Sequence, residues 1–273
     1  MRTLGRAANV RVIKRGRSPA TPYNPCVPKT RADLLLLKRG LAPTREAAQR
    51  LILAGRVRSG TLVLVKPAQM LAEDAALEVS EPERYVSRGG HKLEGALSGF
   101  GIDVTGLRCL DLGASTGGFT DCLLQHGAAT VFAVDVGRAQ LHQRLREDPR
   151  VTLLEATNAR ALPELPPIDF FAADLSFISL RKVLPSVAGR VPPGTRGVVL
   201  LKPQFEAGPR DVPRGGVIRD EAVLRRVCDE FVSWAASEGW RVCGIIPSPI
   251  RGGDGNTEFL VHLMSPGGRT EPC

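Results

Sequence analysis

Asp111-Leu112-Gly113-Ala114-Ser115-Thr116-Gly117-Gly118-Phe119 joins a strand-like run to a helix-like one through three glycines. It closes the apolar run Leu107 to Leu112 and opens an amphipathic run, Phe119 to His126, which Gly127 ends. A strand that turns through glycines into a helix is suited to hold a nucleotide-like ligand. Glycines let the backbone come close, and helix N-terminal amides favour a carboxylate or phosphate. Gly113 and Gly117 stand four apart, so the turn is not the Gly-x-Gly-x-x-Gly of dinucleotide sites. Asp135 ends the next apolar run, where its carboxylate can accept both hydroxyls of a ribose.

Outward from that junction, strand and helix patterns alternate. Thr130 to Val136, Val151 to Leu154, Ile168 to Ala173 and Gly197 to Leu201 read as strands. Residues 138–147, 179–190 and 220–238 read as helices, the last with Val223, Val227, Phe231 and Trp234 on one face. Trp240 to Ile246 and Thr257 to Met264 form a terminal hairpin around the Gly/Pro-rich loop 247–256. Seven strands ending in a hairpin predict an α/β fold, the doubly wound sheet of class I methyltransferases. Its antiparallel last strand would start at the carboxyl edge. The turn agrees, because Asp-x-Gly-x-x-x-Gly resembles that of S-adenosylmethionine enzymes. Asp111, Gly113, Ser115, Thr116, Gly117, Gly118, Phe119 and Asp135 are therefore the candidate residues for that cofactor. A dinucleotide turn, or a merely structural one, is the alternative.

Absent motifs narrow the reaction. Where amino-group methyltransferases carry Asn/Asp-Pro-Pro-aromatic after the fourth strand, this chain has Ala173-Asp174-Leu175-Ser176-Phe177. The Pro-Cys nucleophile of cytosine-C5 enzymes occurs only in the tails, at Pro25-Cys26 and Pro272-Cys273. The residues present suit a hydroxyl acceptor. Asp174 ends the fourth strand, Lys202 the fifth, and Glu258 begins the antiparallel seventh, so all three meet at the carboxyl edge. Lys92, on the first helix of the domain, can fold over the same edge. A ribose 2′-hydroxyl is a poor acid and needs a base as it attacks a sulfonium methyl. A lysine near another cation and partly desolvated is suited to that task, while acidic neighbours fix its orientation. Taken singly, each of these residues is an ordinary surface charge or strand cap; their convergence is the argument.

The N-terminal part is organised differently. Residues 1–30, with seven basic residues and no acid, read as a basic disordered arm; a transit segment has similar composition. Residues 31–80 form a small α+β unit. Leu34, Leu35, Leu37 and Leu41 lie on a helix that Gly40 ends, and Thr44 is placed to cap a second helix striped with Ala47, Ala48, Leu51 and Ile52. Val63 and Val65, then Leu77 and Val79, alternate as strands. Residues 81–87 read as a linker, 88–265 as the methyltransferase domain and 266–273 as a tail. Residues 1–60 carry 14 Lys/Arg and two acids, while the other 213 residues sum to −3. Such asymmetry indicates a polyanion grip, with a solubilising tail as the bland alternative.

The Arg31-x-Asp33-x-x-Leu-x-x-x-Gly40 and Thr44-Arg45-x-x-Ala48-x-x-Leu51-Ile52-x-x-Gly55-x-Val57 patterns resemble the small αL RNA-binding module. Arg58-Ser59-Gly60 replaces the usual Val-Asn-Gly. Residues 31–265 as a whole resemble the TlyA (hemolysin A) family of ribosomal RNA 2′-O-methyltransferases, with an FtsJ-like catalytic domain. The segments that carry the resemblance are 86–94, 111–121, 173–180, Leu201-Lys-Pro-Gln-Phe-Glu206 and Gly255-Asn-Thr-Glu-Phe259; His91 is a departure. The resemblance implies a Lys92, Asp174, Lys202, Glu258 catalytic tetrad with Lys202 as base. It also implies S-adenosylmethionine as cofactor and structured ribosomal RNA or ribosomal subunits as partner, with cytidine as the nucleotide. Arg31, Arg45, Arg50, Arg56 and Arg88 are the candidate RNA contacts. Further Arg-Gly-Gly copies at 214–216 and 251–253 read, like 88–90, as isolated loops rather than a repeat tract, the first two copies being candidates to touch phosphate.

Cysteines without Cys-x-x-Cys pairs and histidines without ligand spacing give no expectation of a metal site, and scattered thiols fit a cytoplasmic protein. A second reading is an RNA-binding assembly factor that keeps the fold without catalysis, which would be expected to lose the tetrad. A third is the membrane-active cytolysin of the family's older name; no apolar run here approaches the length of a span, and no membrane contact is expected.

Overall fold

The computed structural model describes residues 27–80 and 83–268, which divide into two units at Glu83/Arg84. Most of the basic arm, residues 1–26, lies outside the described residues, as do residues 269–273 of the tail. In the first unit β1 (Lys29–Arg31) leads directly into α1 (Ala32–Lys38), so the end of the expected disordered arm is a strand. There follow α2 (Arg45–Leu53), β2 (Val57–Ser59), β3 (Leu62–Val63), β4 (Met70–Ala72) and β5 (Glu78–Val79). Thr44 caps α2 through a hydrogen bond from Ala47 N, as its position predicts. β1 pairs with β4, and β2 is flanked by β3 and β5. Leu35, Leu36, Ala48, Ile52, Val57 and Leu64 form a small closed core between helices and strands. Strands of two and three residues leave little periodicity to read, so the pairings β1–β4 and β2–β5 had no signal in the sequence.

The second unit opens with Tyr85, which is buried, so the expected linker 81–87 ends early and its last residues belong to the core of the second unit. Gly90 makes room for it: a Cβ there would collide with the Tyr85 ring. The elements are α3 (Gly89–Phe100), β6 (Arg108–Leu112), α4 (Gly118–Gln125), β7 (Thr130–Val134), α5 (Gln143–Arg146), β8 (Val151–Leu154) and β9 (Phe170–Ala173). Then come α6 (Leu184–Ala188), β10 (Arg196–Leu201), α7 (Pro203–Glu206), α8 (Glu221–Ser237), β11 (Arg241–Pro247) and β12 (Phe259–Met264). The sheet order is β11-β12-β10-β9-β6-β7-β8, with only β12 antiparallel to its neighbours. This is the expected doubly wound class I methyltransferase sheet. Two apolar layers cover its faces, one centred on α3 and α4, the other on α6 and α8.

Two expected helices are shorter than their pattern. Of residues 138–147 only Gln143–Arg146 is helical. The preceding segment is held as a loop over the carboxyl edge by bonds from Gly137 N to Asp135 Oδ1, Ala139 N to Glu155 Oε1 and His142 N to Thr116 O. Residues 179–190 become a 3₁₀ turn, Leu180–Lys182, followed by α6, because Pro185 restarts the helix and leaves no donor at that position. The apolar content that suggested longer helices is buried all the same, by Leu180, Val183, Leu184 and Val187.

Candidate active site

The ends of β6, β9, β10 and β12 bring the chemistry together. Leu201 pairs with Phe259, so Lys202 and Glu258, one residue beyond, face each other across the antiparallel pair. Val199 pairs with Ala173, which places Asp174 beside them. Lys202 Nζ lies 2.6 Å from Asp174 Oδ1 and donates to Ser176 Oγ at 2.9 Å. Lys92, from the first turns of α3, donates to Glu258 Oε2 at 2.6 Å and stands 4.0 Å from Asp174 Oδ2. The two lysines and Glu258 are at most a tenth exposed, and Asp174 a fifth. Two ammonium groups alternate with two carboxylates, so the buried charges cancel and each has a partner. All four expected catalytic residues thus occupy one place.

A cavity of about 290 Å³ adjoins them. Its other wall is the glycine turn: Gly113, Ser115, Thr116, Gly118 and Phe119. Gly113 has φ +84°, and a Cβ there would collide with the carbonyl oxygen of Asp174. The glycine therefore lets the ends of β6 and β9 approach, rather than clearing space for a ligand. Gly118 serves the same purpose against Ser87 and Gly90 N, drawing the start of α3 onto the start of α4. Gly117 faces away, where a side chain would strike Leu141 and Leu145. Asp135 receives backbone bonds from Ser115 N at 2.7 Å and Gly137 N at 2.7 Å, which fix its carboxylate against the cavity-lining Ser115, though Asp135 itself does not line the cavity. Asp111 does not reach the cavity. It is fully buried beneath the turn, accepts from Thr120 Oγ1 at 2.6 Å, and burial raises its pKa to about 7.

The candidate RNA contacts are spread over both units. Within the first, Arg31 and Arg45 both bind the buried Asp33 carboxylate, at 2.9 and 3.1 Å, and Arg56 binds Ser80 O. These three therefore have part of their donor capacity committed to the module itself, while Arg50 is exposed on α2. Arg88 lies in the second unit, exposed, on the cavity wall.

Three contributors had no assigned role from the sequence. Ser176 holds Lys202. Glu206 is buried and accepts from Ser179 Oγ at 2.7 Å and Leu180 N at 2.6 Å, anchoring the loop that follows Asp174. Asp121 accepts from Val86 N and Arg144, fixing the segment before Arg88. All three lie inside the segments that carry the family resemblance, but only tertiary contacts reveal what they hold.

A model of the FtsJ-like methyltransferase family matches residues 85–265. The 16S/23S rRNA (cytidine-2′-O)-methyltransferase TlyA of Mycobacterium tuberculosis is 48% identical over 242 residues, covering 87% of this chain and 90% of that one. The chain belongs to the TlyA family. Hemolysin A of Brachyspira hyodysenteriae is 40% identical over 240 residues, covering 86% of this chain and 99% of that one. A solved structure from Streptococcus thermophilus, described as a candidate hemolysin, superposes with a TM-score of 0.68 at 41% identity, covering 89% of this chain and 90% of that one. This TlyA-family chain is accordingly an enzyme, a methyltransferase that uses S-adenosylmethionine. Among its described residues no helix is long and apolar enough to cross a membrane.

The residues present fit that cofactor. The cavity has one wall of backbone at the N-terminus of α4, suited to a carboxylate, and behind its Ser115 a fixed acid, Asp135, of the kind that accepts ribose hydroxyls. Its volume is at the lower end of small-molecule sites, about 300–1,000 Å³.

Proposed function

We propose that this protein transfers a methyl group from S-adenosylmethionine to a ribose 2′-hydroxyl, that of a cytidine, in structured ribosomal RNA. The observation that carries the reading is the Lys92–Glu258, Lys202–Asp174 cluster beside the glycine-turn cavity. TlyA of Mycobacterium tuberculosis, 48% identical in each of two strains, and TlyA of Campylobacter jejuni, 33% identical, are named as rRNA (cytidine-2′-O)-methyltransferases. The cluster also disfavours the assembly-factor reading, since a protein that only binds RNA has no use for four buried charges at a strand edge.

When bound, the cofactor supplies an electrophilic methyl on a sulfonium centre. Gly118, Phe119 and Asp135 would hold its ends, and Asp111 would support the turn from below. An ammonium carries three donor positions, and Asp174 and Ser176 take two of those of Lys202. The third position is left for the incoming 2′-hydroxyl. Lys202, in its unprotonated form, accepts the hydroxyl proton as the oxygen attacks. Asp174 keeps the lysine aimed and stabilises the ammonium that forms. Lys92, anchored by Glu258, adds positive charge where the ribose oxygen becomes negative. The first unit would hold folded RNA through phosphates and shape, because an A-form helix shows side chains few base edges. The target nucleotide would be turned out of its stack to reach the cavity. Phe177 is 90% exposed with its ring 5.3 Å from Phe205, beside Arg160 and Lys182, an aromatic and basic surface of the kind single-stranded RNA favours.

The test is transfer of labelled methyl to unmodified ribosomal subunits, with digestion to nucleosides. Label in a 2′-O-methylnucleoside is the expected result, and label on a base would exclude the mechanism. Lys202→Ala should lower single-turnover transfer by about 10²–10⁴-fold with cofactor and RNA still bound. Full transfer by that variant would remove Lys202 as base.

A further inference from the structure

Three Arg-Gly-Gly segments, 88–90, 214–216 and 251–253, are far apart in the chain and isolated from one another. In the folded catalytic unit they meet. Asn256, which is buried, joins the second and third: its Oδ1 accepts from Ile218 N at 3.1 Å and its Nδ2 donates to Gly216 O at 3.0 Å. Its own carbonyl accepts from Gly252 N at 3.0 Å. The third segment reaches the first, since a Cβ on Gly253 would lie 3.8 Å from Arg88 Nη2. The same loop is built around the catalytic cluster: a Cβ on Gly252 would stand 2.6 Å from Oε1 of Glu258, whose other oxygen holds Lys92.

The three arginines are exposed, and none forms an ion pair with a carboxylate among the described residues. Exposure without a carboxylate partner is shared by other arginines of this unit, such as Arg138, Arg196 and Arg219, while Arg108, Arg144, Arg150 and Arg226 each bind an aspartate at 2.7–3.0 Å. What distinguishes Arg88, Arg214 and Arg251 is that their loops are tied together beside the lysine and carboxylate cluster. Arg88 lines the cavity, and Arg251 also donates to Gly255 O at 3.3 Å. An exposed guanidinium without a carboxylate partner, on a loop whose glycines allow close backbone approach, is matched to phosphate.

We propose that these loops form a phosphate clamp at the mouth of the methyl-transfer site. Resting on the RNA reading above, Arg88, Arg214 and Arg251 grip backbone phosphates beside the nucleotide whose ribose enters. Asn256 is the positioning residue that keeps the loops together. The clamp carries no base preference, because phosphate contacts set register rather than sequence. Its use is to hold the strand while the target is unstacked.

The experiment is equilibrium binding of an unmodified ribosomal RNA transcript to the full-length protein over a salt series. Arg88→Ala, the Arg214→Ala/Arg251→Ala pair and Asn256→Ala are compared with Arg196→Ala, a change to an exposed arginine at the opposite edge of the sheet. The slope of log affinity against log salt should fall by about one for each clamp arginine removed. The double variant should bind about tenfold more weakly, and Arg196→Ala should match wild type. Asn256→Ala should lose affinity with every arginine retained. Wild-type slope and affinity in the double variant would overturn the clamp, and wild-type affinity in Asn256→Ala would overturn the positioning role. Because the readout is binding, failure of wild-type protein to transfer methyl would sink the transferase reading alone.

Discussion

Replacing Asp111 by asparagine should remove a pH dependence of stability that one side chain imposes. Asp111 lies within β6 with no exposed surface. Burial raises its pKa from 3.8 to about 7; the hydrogen bond from Thr120 opposes the rise, and the charge of Asp174 adds to it. An acid whose pKa is higher folded than unfolded contributes stability that is fully present below the unfolded value and is lost as pH rises through the folded one. Here that window runs from about pH 4 to about pH 7. The gap is about three units, which at 1.36 kcal/mol per unit amounts to about 4 kcal/mol. Asparagine keeps an oxygen to accept from Thr120 and never ionises. Trp234 and Trp240 are the two tryptophans of the chain and both lie in the catalytic unit, so urea unfolding followed by their fluorescence reports that unit. Other titrations are common to both proteins and cancel in the difference. Wild-type stability minus that of Asp111→Asn should fall by roughly 3–4 kcal/mol between about pH 4.5 and about pH 8. A difference that stays flat across this range would mean that Asp111 ionises as an ordinary carboxylate, and the account of a neutral acid under the cofactor turn would be wrong.

The same geometry gives three further expectations. Gly113→Ala places a Cβ against Asp174 O at φ +84°, so it should cost about 3 kcal/mol in the same fluorescence assay; a loss under 1 kcal/mol would refute the close approach of β6 and β9. Glu206→Ala frees Ser179 and Leu180 and so loosens the loop bearing Asp174 and Ser176. Its kcat should fall about 10- to 100-fold with RNA affinity little changed, and a loss confined to KM would contradict the role. In the first unit, Arg31, then Gln49 and Arg45, hold the Asp33 carboxyl far below the usual carboxylate range. That stability is present above about pH 4 and is lost as the pH falls. Asp33→Asn should lower the unit's stability by about 2 kcal/mol, seen as faster amide exchange in residues 32–57 at neutral pH, and unchanged exchange would show the ion pairs to be idle.

Much of this protein was legible in its sequence, for identifiable reasons. Strand-length apolar runs such as Phe170–Ala173 and Gly197–Leu201 are buried on both faces, so composition alone marks them. The order of such runs, with a closing hairpin, dictates the sheet, and the sheet brings strand-end residues to one edge. Asp174, Lys202 and Glu258 could therefore be picked out before any distance was known. Local chemistry could not say which elements would be cut short by tertiary capture of the backbone, as in residues 136–142, where Thr116 O takes the His142 amide hydrogen that a helix from residue 138 would have used.

The purpose of the glycines also waited for the tertiary structure. Gly113, Gly117 and Gly118 read as one ligand-facing turn, yet the first admits a neighbouring strand, the second faces Leu141 and Leu145, and the third packs against Ser87 and Gly90. A glycine announces that space is needed without naming what needs it. In the same way, the fold class, the strand-end charges and the basic N-terminal unit were readable from the residues alone, because periodicity, strand order and charge are properties of local chain. Only tertiary structure decided that Asp111 is buried below the cavity, that Arg31 and Arg45 are tied to Asp33, and that Asn256 draws distant Arg-Gly-Gly loops together. Those outcomes depend on which groups meet after the chain has closed, and a buried polar group takes whichever partner the fold brings to it.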